Sequence, residues 1–115
     1  MKTEETNKLI AEFMGCKVKD DIVYRLDNEN SSFVEDLRYH SSWDWVMPVW
    51  AKILQWGMKE HGLKWFQSIN ENYVIIQTFD DGIFMRYLDK NEELSIEPVY
   101  EAVVEFIKWY NTDGK

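Results

Sequence analysis

A single cysteine, Cys16, stands in a chain of 115 residues, so no intramolecular disulfide can hold the fold together and no oxidising compartment is required. Lys17 and Lys19 lie beside it, but no histidine is close in sequence, and a thiol without a base reads as a small half-buried hydrophobe. Five scattered glycines build no phosphate-cradling loop. No apolar run approaches the span of a bilayer, and the opening stretch MKTEETNKLIAEF carries no signal-peptide core. A cytoplasmic location is therefore expected. Basic residues are also scarce, at 13 against 21 acidic ones for a net charge of −8. That balance excludes non-specific nucleic-acid binding, which needs a basic face to displace counterions from phosphates. It leaves three readings: solubility, a basic protein partner, or mimicry of nucleic acid. The acids are dispersed as pairs (Glu4-Glu5, Asp20-Asp21, Glu35-Asp36, Asp80-Asp81, Glu92-Glu93), which favours solubility.

What is present is an abundance of large apolar side chains. Hydrophobic residues make up 45% of the chain, and six Trp, six Tyr and six Phe dominate the available core volume. A chain of this length forms one domain, 1–115, and buries enough surface for a core without staples.

The pattern predicts a first helix from Thr3 to Met14, with Glu4 and Glu5 in its first turn and Gly15 as its stop. A short strand, Ile22 to Leu26, precedes a loop over Asp27–Ser32, and Phe33 to Tyr39 reads as extended or irregular. The second helix spans Ser42 to Lys59, capped by Ser41 or Ser42 and closed by His61-Gly62. Trp43, Met47, Trp50, Ile53 and Leu54 share one face of it, and Trp45, Val49 and Trp56 form a flanking strip. Strands follow at Leu63–Ile69, Tyr73–Phe79 and Ile83–Leu88, joined by turns at Asn70–Asn72 and Asp80-Asp81-Gly82. A last helix, Ser95 to Asn111, is capped by Ser95 and apolar round most of its circumference. The expected fold class is α+β: an antiparallel sheet of three to four strands covered by three helices as a three-layer α/β/α sandwich, with a two-layer sandwich as the alternative.

Three stretches together carry a family resemblance: NKLIAEFMG (Asn7 to Gly15), YHSSWDWVMPVWAKI (Tyr39 to Ile53) and SIEPVYEAVVEFIKWYN (Ser95 to Asn111). They resemble a family of small uncharacterised proteins encoded by bacteriophages and prophages. The middle stretch is the most specific, with three Trp and a Pro within a few residues. The family pattern there is nearer SWDWLMPVVEKI; Val46 stands for a Leu, and Trp50-Ala51 for Val-Glu. The resemblance implies a phage or prophage origin and an alpha-beta-alpha sandwich domain. It carries over no catalytic residue.

Two groups of residues are candidate sites. The cluster Tyr39-His40-Ser41-Ser42-Trp43-Asp44-Trp45 sets an imidazole, two hydroxyls and a carboxylate at a helix start; His40, Ser41, Ser42 and Asp44 are the expected ligand-binding residues there, against a plain capping role. A Ser-His nucleophile pair lacks a third orienting group and an oxyanion-hole signature. No metal site is expected, because His40 and His61 are far apart and lie in no ligand spacing. No cofactor is implied. The second group is the aromatic surplus: Trp45, Trp56, Trp65 and Trp109 are the expected interface residues. The reading that follows is a non-enzymatic phage or prophage accessory protein that binds a host or phage protein, or a second copy of itself. The alternative is a small-ligand-binding protein or enzyme with its site at the start of the second helix. Neither nucleic acid nor membrane is an expected partner.

Overall fold

The computed structural model describes residues 3–19, 22–24, 31–33, 37–78, 82–88 and 95–114. Helix α1 (Thr3–Phe13) has Glu4 and Glu5 in its first turn, where negative charge complements the dipole. It stops where its sequence predicts. Gly15 sits at φ 94°, its N–H donates to the Glu12 carbonyl, and the Cys16 N–H reaches back to Ala11. This is the hydrogen-bond pattern that a left-handed glycine allows at a helix end.

Three short strands follow: β1 (Lys17–Lys19), β2 (Ile22–Tyr24) and β3 (Ser31–Phe33), an antiparallel sheet in that order. Only β2 is expected from sequence. β1 is lysine on either side of Val18, and β3 is serine at two of three positions, so neither has the side chains that mark a strand. Ladder pairing to Ile22, Val23 and Tyr24 on both sides recruits them. The loop expected over Asp27–Ser32 is thus corrected at Ser31 and Ser32. Residues 25–30, 34–36 and 79–81 lie outside the described residues, and with them the end of the first expected strand, part of the Phe33–Tyr39 stretch, and Asp80-Asp81 of the second hairpin turn.

Helix α2 (Trp43–His61) ends at Gly62, whose N–H returns to the Met58 carbonyl at φ 60°. Gly62–Lys64 then coil into a 3₁₀ turn, which delays the next strand beyond the expected Leu63. Strands β4 (Phe66–Ile69), β5 (Tyr73–Gln77) and β6 (Gly82–Tyr87) form the expected antiparallel meander. Its first turn is held by Asn70, whose Oδ1 accepts the N–H groups of Asn72 and Tyr73. Helix α3 (Ile96–Trp109) runs into a wide C-terminal turn, Tyr110–Gly114.

The expectation of one sheet gives way to two separate ones. The hub of the molecule is α3, which packs on α1, on α2 and on β5 and β6. Val99, Ala102, Val103, Phe106 and Ile107 on it are wholly buried. A helix apolar round most of its circumference can be buried on several sides at once, and here helices as well as strands cover it. Arg86 on β6 also reaches α3, with its guanidinium 3.1 Å from the Glu101 carboxylate.

Helix α2 is rotated from its expected orientation. Val46, Val49, Trp50, Ile53 and Gly57 are buried, while Trp43, Met47 and Leu54 are exposed. The buried arc straddles the two apolar strips: Trp50 and Ile53 come from the expected face and Val49 from the flanking strip, with Trp56 half-buried beside it. The cause is Trp65, whose indole lies directly on α2 at Gly57; a Cβ on that glycine would clash with the ring. Only a helix turned to present Gly57 can accept that ring.

Candidate functional site

The start of α2 is tied to α1 and α3 through buried polar groups. Asn7 on α1 is their centre and is almost fully buried. Its Nδ2 donates to the Leu37 carbonyl at 3.3 Å and lies 3.1 Å from His40 Nδ1. Because the Leu37 carbonyl can only accept, it sets which way the amide faces. His40 Nδ1 must then accept the second Nδ2 hydrogen, which places the imidazole proton on Nε2. On its other side, Asn7 Oδ1 accepts from the Tyr100 hydroxyl at 3.0 Å, and that hydroxyl also bonds Thr6 Oγ1. Burial pushes the Tyr100 hydroxyl above its ordinary pKa, and the Thr6 contact opposes the shift.

His40 therefore uses Nδ1 on α1, and its ring stands edge-on to Tyr100 at 6.2 Å. No hydrogen bond or ion pair joins it to Ser41, Ser42 or Asp44. The Ser41 and Ser42 N–H groups both donate to the Arg38 carbonyl, and the Ser42 carbonyl takes Trp45 and Val46. Ser42 occupies the cap position with extended backbone, but its hydroxyl makes no capping bond; the hydroxyl of Ser95 likewise makes none at α3. Asp44 is exposed. The sequence neighbours are brought together as a chain segment, not as a convergent polar site.

The four tryptophans singled out by sequence divide differently. Trp65 is a core residue, 5% exposed. Its indole N–H donates to Gln67 Oε1 at 2.7 Å and its ring stacks on His61. Trp56 and Trp109 are half-buried with it in one aromatic cluster. Trp56 meets Trp65, Phe106, Trp109 and Tyr110 edge to face, with centroids 5.3–5.9 Å apart. Trp45 is half-buried against Tyr39 at 5.2 Å. The burial of Trp65 has a simple cause: His61, Trp56, Phe106 and Trp109 pack around its ring.

The bare apolar surface lies elsewhere. In the β4–β5–β6 sheet, alternation puts Gln67, Ile69, Val74, Ile76, Phe84 and Arg86 on the face toward α3. The opposite face carries Phe66 and Ser68 from β4, Tyr73, Ile75 and Gln77 from β5, and Met85 and Tyr87 from β6. None of these seven is charged. Met85 is 52% exposed and Tyr87 68%, and Phe66 is exposed as well. Ile75, between them, is buried by its neighbours yet lies outside the main core cluster. A second strip runs along α2: Trp43, Met47, Leu54 and Met58, all exposed, fall within an arc of about 60° at helical periodicity. The alternation of β4 is legible in its residues, but that α3 takes one face only is decided by packing.

Among the described residues no three His, Cys, Asp or Glu side chains converge as metal ligands, and no helix is long and apolar enough to cross a membrane. Cys16 is a free thiol, half-buried against the core. Compared with known proteins, the chain matches no family model, no curated protein and no solved structure.

Proposed function

We propose that this chain is a non-catalytic accessory protein, of phage or prophage origin and acting in the bacterial cytoplasm, that works by protein–protein contact through the outer face of β4–β5–β6. The observation that carries this reading is an uncharged, aromatic-rich sheet face on a molecule of net charge −8. Exposed Phe, Met and Tyr around a buried Ile form the kind of surface that gains most from being covered. The partner at this face is a second copy of the chain. Two molecules of the same strong charge repel each other, and a face without charges is where they can meet with least like-charge opposition. A basic partner, by contrast, would be drawn to the carboxylates elsewhere. On this reading the layering is completed between molecules: the face that a three-layer sandwich covers with a helix is covered by the neighbour's sheet. The resemblance of the two helical ends and the Trp-rich middle stretch to phage proteins supports the origin. The exposed strip on α2 is left for a host or phage protein.

The alternative reading, a ligand site built on His40, Ser41, Ser42 and Asp44, has less in its favour, since His40 Nδ1 and the two serine N–H groups are already paired within the chain. Light scattering on chromatographed protein tests the proposal. The wild type should elute as a dimer, and a Met85→Lys/Tyr87→Lys variant as a folded monomer. A monomeric wild type, or a variant that still dimerises, would overturn it.

A further inference from the structure

A cleft of about 390 Å³ opens where α1, α2 and the C-terminal turn meet, remote in sequence from the β4–β5–β6 face. Its size is that of a small-molecule site. Three rings from three elements line it. Phe13 and Tyr110 meet edge to face at 5.5 Å, and Trp56 and Tyr110 at 5.3 Å. Above this apolar floor sits Lys52, whose Nζ donates to the Phe13 carbonyl at 2.6 Å and lies 5.0 Å from the Phe13 ring centroid. That carbonyl belongs to the last turn of α1 and has no acceptor role inside the helix, so Lys52 is held in place by a helix end. An ammonium has three hydrogens, and the carbonyl takes one. The other lining charge is Glu12, exposed on α1, whose carboxylate makes no hydrogen bond or ion pair with the described residues.

We propose that this cleft binds a small zwitterion with a flat apolar body, of the class of an aromatic α-amino acid. A plain carboxylate would find Lys52 but face Glu12, and a plain amine would find Glu12 but face Lys52. A ligand carrying both charges satisfies both walls, and its body lies against the half-buried rings of Phe13, Trp56 and Tyr110. Aromatic edges and faces suit a planar group, and the ring faces also favour an ammonium.

The test is an amide NMR titration of the whole chain with L-tryptophan and L-phenylalanine. Saturable shifts should be confined to amides around Leu9, Lys52, Trp56 and Asn111. Phenylpropionate, which lacks the amine, and phenethylamine, which lacks the carboxylate, should each bind about tenfold more weakly or worse. Glu12→Gln should narrow the gap for phenylpropionate, and Lys52→Met should do so for phenethylamine; the same spectra report whether each variant is folded. Because Glu12 is exposed, its variant keeps the proposal falsifiable if Lys52→Met loosens α1. An absence of saturable shifts up to about 10 mM would overturn the proposal, because at about 0.3 kcal/mol per non-hydrogen atom a ligand of this size should reach a Kd of about 1 mM. Shifts at other amides, or equal affinity for the zwitterion and its half-charged analogues, would overturn it too.

Discussion

The two ends of α3 hold the molecule together by opposite means. Toward its start, Tyr100 joins Thr6 and Asn7 of α1, and through Asn7 the Leu37 carbonyl and His40, in a network of directed hydrogen bonds. Toward its finish, Phe106 and Trp109 enter a cluster with Trp56, Trp65 and Tyr110 that is built on ring contacts, with the Trp65–Gln67 bond as a polar handle. The polar end sets register, because each buried group there has few partners that can satisfy it. The aromatic end supplies buried area and shape fit. The two should fail differently when perturbed.

Phe106→Ala opens a cavity at the centre of the aromatic cluster and should cost about 3–5 kcal/mol in denaturant unfolding. Gly57→Ala attacks the same end by excess rather than loss. The added methyl meets the Trp65 indole, so the variant should lose about 1–3 kcal/mol despite alanine's better helix propensity. Trimming the ring in Gly57→Ala/Trp65→Leu should cost less than the two single changes added together. If Gly57→Ala proves neutral, the close seating of Trp65 on α2 is wrong.

At the polar end, Tyr100→Phe removes one hydroxyl and leaves Asn7 Oδ1 buried without its donor, a loss of about 1–3 kcal/mol. Here pH separates the two ends. Burial raises the Tyr100 pKa in the folded chain, so below the ordinary tyrosine value of about 10 both folded and unfolded forms are neutral and nothing is lost. Above it the unfolded chain ionises first and binds fewer protons, so stability falls as pH rises. Tyr100→Phe should make that alkaline fall shallower, whereas Phe106→Ala should leave its slope unchanged. Equal slopes in wild type and Tyr100→Phe would remove the distinction. The smallest effect belongs between the two ends. Glu101→Ala breaks a pair with Arg86 in which each side chain is more than one-third exposed on average, and should cost less than about 1 kcal/mol.

The three helices, the β4–β5–β6 meander and the stop at Gly15 were legible because each depends on residues close together: an apolar period, a turn-forming Asn70, a glycine past the last helical residue. The small sheet was not, since Lys17, Lys19, Ser31 and Ser32 become strand only by pairing with β2. Nor was the site. Sequence set Trp65 among the interface residues and His40 beside Ser42 and Asp44, whereas Phe106, which packs on Trp65, and Asn7, which holds His40, lie far along the chain.

Local periodicity and end chemistry thus determined how many long helices form and where the meander runs, because those choices are settled within a few residues. Tertiary structure alone decided which arc of α2 is buried, which side of the sheet is bare, and which polar groups pair. Those are competitions among alternative partners of similar chemistry, and packing volume and hydrogen-bond geometry in three dimensions choose between them.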